Sequence, residues 1–115
     1  MTIKRIDTDP RMSDAVIHNN TLYYTGVPRN LSAGAYEQTL DTLAQVEEML
    51  NAQGSNKSKV LDATIILADG ADFAEMNRAW DSWVDPEHTP VRCTIQATLM
   101  KAEYRVEIKI IAAVD

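Results

Sequence analysis

Two short C-terminal stretches hold the residues best suited to chemistry. Val91 to Ala97 and Tyr104 to Ala112 read as strands, and the side chains of a strand alternate between its two faces. In the first, Val91, Cys93 and Ile95 point one way and Arg92, Thr94 and Gln96 the other. In the second, Tyr104, Val106, Ile108 and Ile110 oppose Arg105, Glu107 and Lys109. If both apolar sets meet the core, Arg92, Thr94 and Glu107 all lie on the open face. A single arginine can bind a small carboxylate even inside an acidic protein. The same charges also read as an ordinary solvated sheet face, where an ion pair contributes little. Parity does not say whether the two strands are neighbours.

The elements that position these residues follow from pattern and punctuation. A short first strand is expected over Ile3–Ile6. Ala15–His18 and Leu22–Thr25 flank Asn19 and Asn20, a pair that tolerates positive φ and so suits a two-residue hairpin turn. Gly26 and Pro28 end that hairpin, and Val27–Leu31 is a loop. Ser32 is placed to cap a helix from about Ala33 to Gln53, with Tyr36, Leu40, Leu43, Val46 and Leu50 at helical spacing and Gly54 as its stop. Val60–Ala68 reads as a mostly buried strand. Asp72, with Glu75 three residues on, suggests a capping box for a second helix striped by Phe73, Met76, Trp80 and Trp83. Pro86 and Pro90 close that region. Two amphipathic helices then cover one face of a single mixed sheet of about six strands.

Composition bounds the rest. A chain of 115 residues with 45% hydrophobic content fits one domain, residues 1–115, around one core. Cys93 is the only cysteine, so no intrachain disulfide forms and nothing points to an oxidising compartment. The opening Met1–Asp7 segment lacks the apolar run of a secretory signal, and no stretch approaches the roughly 18 apolar residues of a membrane helix. A cytoplasmic protein with no membrane partner is expected. The net charge of −6, with scattered Lys and Arg, argues against nucleic acid as a partner. His18 and His88 are too few and too far apart for a metal site. Trp80 and Trp83 read as packing residues, and Asp62 and Asp69 as strand-end residues. No glycine-rich phosphate loop and no Ser/His/Asp arrangement is present.

Pro90-Val91-Arg92-Cys93-Thr94 followed by Val106-Glu107-Ile108 resembles the C-terminal signature of the RidA/YjgF family. The resemblance extends along the chain through Leu22–Gly26, Asp62–Leu67 and Asp72-Phe73 with Met76-Asn77. It implies an α/β fold of the chorismate-mutase-like kind and a homotrimer with clefts between subunits, the open sheet face lining the trimer centre. It implies no cofactor. The implied activity is hydrolysis of 2-imino or enamine acids, such as 2-iminopropanoate and 2-iminobutanoate, to 2-keto acids and ammonia.

By the same resemblance, Arg92 matches the arginine that binds the substrate carboxylate, a task suited to its planar fork. Glu107 matches the glutamate that positions the attacking water. Gly26 matches a glycine whose backbone lies against the ligand. Thr94 falls where many members have cysteine, a position that tolerates threonine if it acts through its backbone. Met12 falls where many deaminating members have tyrosine, and it has no phenolic hydroxyl to donate. Cys93, on the opposite face from Arg92, is not read as a nucleophile. A non-catalytic binder of small carboxylates and a protein-interaction module are the alternatives; retention of both Arg92 and Glu107 favours the enzyme.

Overall fold

The structure, a computed structural model, describes residues 2–115. In chain order the elements are β1 (Lys4–Thr8), β2 (Ser13–His18), β3 (Thr21–Gly26), α1 (Ala35–Ala52), β4 (Val60–Leu67), α2 (Phe73–Trp83), β5 (Val91–Gln96) and β6 (Val106–Ala113). Short 3-10 turns precede β4 at Lys57–Lys59 and α2 at Gly70–Asp72. The six strands form one sheet in the order β1-β2-β3-β6-β4-β5. Only β4 and β5 run parallel; the other pairs are antiparallel. No helix among the described residues is long and apolar enough to cross a membrane.

The hairpin between β2 and β3 forms as its residues dictate. Asn19 and Asn20 have φ of 52° and 59°, the left-handed pair a two-residue turn needs. Gly54, at φ 77°, ends α1 as expected. Both helices pack on one face of the sheet. Leu43, Val46 and Leu50 of α1 and Met76, Trp80 and Trp83 of α2 meet Leu22, Ala63, Ile65, Leu67, Val106, Ile108 and Ile110 in one core. Full burial of each such aliphatic side chain contributes about 1.5–3 kcal/mol. At Gly26 a Cβ would lie 3.1 Å from Thr42 Cγ2 and 3.3 Å from Val46 Cγ2, so a larger residue there would press on α1.

The helix starts depart from expectation. α1 begins at Ala35 behind Gly34, with no side-chain cap, because Ser32 is engaged elsewhere: its N–H and Oγ both donate to Asn30 Oδ1. The N-terminal half of α1 buries Gln38, Thr39 and Thr42 in place of the expected Tyr36 and Leu40, which are only half-buried. These polar groups are satisfied locally, the two threonines by bonding back to Ala35 O and Gln38 O. At α2 the capping box does not form. Asp72 reaches across to Arg105 at 3.4 Å, Glu75 pairs with Arg78 at 2.8 Å, and Asp69 instead caps the preceding turn through Ala71 N–H.

Candidate functional site

The register of β5 corrects the expected common face. Arg92, Thr94 and Gln96 pair with Ala63, Ile65 and Leu67 of β4, whose side chains are core residues under the helices. Arg92 and Thr94 therefore point to the helix side. Glu107 pairs with Ile66 and does lie on the open face, with Ile95 on the far side of Ile66. The apolar side of β5 was expected to meet the core, but β5 is an edge strand and its apolar residues face outward. Val91 is 69% exposed and Ile95 44%. Arg92 and Glu107 thus leave opposite faces of one chain.

At the β5 edge, the Arg92 guanidinium lies 5.5 Å from the Trp80 ring centroid and 6.0 Å from that of Phe73. Aromatic faces attract a cation without neutralising it. Among the described residues no carboxylate pairs with Arg92. Phe73, expected in the apolar stripe of α2, is instead 46% exposed and belongs to this edge. The Thr94 hydroxyl oxygen is enclosed and has no hydrogen-bond partner, so the side chain faces inward. The backbone does the opposite. Ala97 N–H donates to Leu67 O at 3.0 Å. Alternation along the strand then directs the N–H groups of Cys93 and Ile95 at β4 and those of Arg92 and Thr94 at the free edge. A guanidinium and outward-facing amides on one edge make an anion-binding arrangement.

The second region is a cleft of about 380 Å3 lined by Met12, Asp14, Tyr24, Gln45, Tyr104 and Glu107, among others. Each wall is held in place. Asp9 Oδ1 accepts from the N–H groups of Arg11 at 2.7 Å and Met12 at 2.9 Å, and Asp9 N–H returns a bond to Met12 O. Those backbone donors hold the Asp9 carboxyl below its ordinary value. Gln45 Nε2 donates to Val27 O at 2.8 Å. The buried Gln38 fixes the entry to β6: its Oε1 accepts from Arg105 N–H at 2.8 Å and its Nε2 donates to Glu103 O at 3.0 Å and Asn30 O at 3.2 Å. Burial, and next the Asp14 charge, push the Tyr24 phenol above its usual value, so it stays a proton donor through neutral pH.

The structure therefore brings Met12 and Glu107 together in one cleft and sets Arg92 and Thr94 apart at the β5 edge. Gly26 ends β3 one residue from Thr25, another lining residue of the Glu107 cleft, with its Cα turned towards α1. Tyr24, Tyr104, Gln45 and Phe73 escaped the reading of the sequence. The first two sat in apolar strand patterns, Gln45 on the side of α1 read as polar, and Phe73 in a helical stripe. Among the described residues, no three of His, Cys, Asp and Glu gather closely enough to hold a metal ion.

Comparison with known proteins agrees with this architecture. Residues 2–114 match the family described as Endoribonuclease L-PSP. The chain is similar to the RutC family protein YoaB of Escherichia coli K12, with 68% identity over 114 residues that cover 99% of this chain and 100% of that one. It is similar to the crystal structure of a YjgF-family protein from Neisseria meningitidis, with 46% identity, a TM-score of 0.96, and coverage of 100% of this chain and 97% of that one. It is also 30% identical over 107 residues to the 2-iminobutanoate/2-iminopropanoate deaminase of Capra hircus, covering 87% of this chain and 77% of that protein. With the fold, the β5 motif and these relatives in agreement, the chain belongs to the RidA/YjgF family.

Proposed function

We propose that this protein is a deaminase that hydrolyses reactive 2-imino and enamine acids to 2-keto acids and ammonia. The observation that carries this reading is the Arg92 guanidinium, set over the Trp80 and Phe73 rings at a free strand edge with no carboxylate partner among the described residues. The name of the Capra hircus relative supports the same substrate class. The net charge of −6 favours one small anion over a nucleic-acid backbone as ligand.

In this reading the substrate carboxylate lies on Arg92 and the outward N–H of Thr94. Glu107 accepts a proton from a water as its oxygen attacks C2 of the imine. The C–N bond of the resulting carbinolamine breaks once the nitrogen is protonated, and ammonia leaves with the 2-keto acid behind. Arg92 and Glu107 leave opposite faces of one chain, so one small substrate meets both only if two copies of the chain contribute. This supports sites shared between subunits, as in the homotrimer that we propose together with a cytoplasmic location. The exposed Val91, Ile95 and Tyr23 on the open face supply apolar surface for such contacts.

A second reading, a non-catalytic carboxylate binder, draws on Met12, whose thioether stands in the Glu107 cleft and cannot donate a hydrogen bond. The test is release of ammonia and pyruvate from freshly generated 2-iminopropanoate. Acceleration over the buffer rate is expected. Keto-acid binding without any acceleration would move the assignment to the binder.

A further inference from the structure

Next to the Arg92–Phe73 contact lies a cavity on the helix side of β5. It has a volume of about 230 Å3 and is lined by Leu67, Gly70, Phe73, Thr94, Ile95 and Gln96. Liquid water occupies about 30 Å3 per molecule, so the space far exceeds what a methyl group fills. Three observations tie it to the anion-binding edge. Phe73 belongs to both: its ring centroid is 6.0 Å from the Arg92 guanidinium, and it also lines the cavity. Thr94 follows Arg92 by two residues, on the same face of β5. Leu67 and Phe73 give the cavity apolar walls, Ile95 borders it from a strand position whose side chain faces the other way, and no charged residue lines it.

The far end is closed by a specific contact. Gly70 N–H donates to Gln96 Oε1 at 2.6 Å. A Cβ at Gly70 would sit 2.6 Å from that same oxygen, so a larger residue there would displace the Gln96 amide from this contact. The result is a pocket with apolar walls and a polar stop, one wall of which, Phe73, also lies 6.0 Å from the Arg92 guanidinium.

We propose that this cavity is the side-chain subsite of the protein, and that its preferred ligands are 2-imino and 2-keto acids with apolar side chains of two to four carbons, not the methyl compound. The proposal rests on the assignment of Arg92 as the carboxylate anchor. With the carboxylate on Arg92, the chain beyond C2 runs along β5 past Phe73 and Thr94 towards Gln96. Each methylene buried there should strengthen binding roughly fourfold.

The test uses the intact protein and a keto-acid series: pyruvate, 2-ketobutyrate, 2-ketovalerate and 4-methyl-2-ketopentanoate. Dissociation constants are measured by titration, and kcat/KM is measured on the corresponding imines. Affinity should rise stepwise along the series. Phe73→Ala should flatten that slope, read as the ratio of 2-ketovalerate to pyruvate affinity within each protein, so that any general weakening cancels. Gln96→Ala should move the optimum to a longer chain by removing the stop. A flat or falling series in the wild type overturns the subsite, as does a Phe73→Ala slope equal to the wild-type one. If keto-acid affinity rises as expected but no imine is hydrolysed, the subsite stands and the deaminase reading fails. If imines are hydrolysed with no dependence on side chain, the reverse holds.

Discussion

At the free edge of β5, Arg92 rests on aromatic rings beside unpaired backbone amides. In the cleft beside β6, Glu107 is framed by polar groups that α1 and the Asp9 turn hold in place. The first region suits an anion: a cation with no carboxylate partner among the described residues, beside strand N–H groups turned to the free edge. The second gathers a carboxylate, a phenol kept protonated and amides that fix the walls. Neither half suffices for hydrolysis of an anionic imine. Under the proposed reaction, the edge binds without activating water, and the cleft activates water without an anchor. In that proposed reaction, their separation on opposite faces of one sheet makes assembly part of the chemistry.

The largest expected effect breaks the cleft alone. Glu107→Gln keeps the shape and one acceptor oxygen but removes the charge that draws a proton from water. Imine turnover should fall about 10²–10⁴-fold while keto-acid affinity stays near that of the wild type. Full activity in this variant would remove Glu107 from the mechanism. Arg92→Ala breaks the edge alone. Loss of a charge-assisted contact typically costs about 1.5–3 kcal/mol, so keto-acid binding should weaken roughly 10- to 150-fold, with kcat/KM falling alongside. Equal binding by Arg92→Ala and the wild type in titration calorimetry would contradict the assignment. Unfolding midpoints in urea should barely move for either variant, because neither side chain belongs to the core cluster.

The smallest effect sharpens the description of the cleft. Tyr24 is raised above its ordinary value of 10.0, chiefly by burial. The fold thus favours the neutral phenol, and the unfolded chain gives up its proton first. The stabilisation linked to this group is complete below about pH 10 and is lost as pH rises through the folded value. Denaturant titrations from pH 8 to 11 should show an alkaline decline that Tyr24→Phe reduces. An unchanged decline in that variant would mean the phenol is not held neutral by its surroundings.

Much of this arrangement was legible from the residues. The Asn19-Asn20 turn, the Gly54 stop and the alternation of β6 each reflect a local preference that tertiary packing did not override. Glu107 was placed on the correct face because β6 is a central strand whose apolar side must be covered. β5 failed for the converse reason. At a sheet edge, apolarity does not identify the covered face, and Val91 and Ile95 face outward while Arg92 lies over Trp80. The capping signals at Ser32 and Asp72 were real hydrogen-bonding capacity, but Asn30 and Arg105 compete for it. The convergence of Met12, Tyr24 and Tyr104 around Glu107 joins β2, β3 and β6 across the chain. No local pattern encodes such a long-range meeting.

The central claim is that one site draws Arg92 and Glu107 from different copies of the chain. Mixing Arg92→Ala with Glu107→Gln tests it directly. In a cyclic trimer every mixed assembly contains one site with both residues intact. Random assembly from equal parts makes three trimers in four mixed, so activity should recover to about a quarter of wild type. The two variants are co-refolded, mixed trimers are verified by native mass spectrometry, and ammonia release from 2-iminopropanoate is measured. Recovery well above the sum of the two separate variants is the expected result. Mixed trimers with no more activity than that sum would contradict a site shared between subunits.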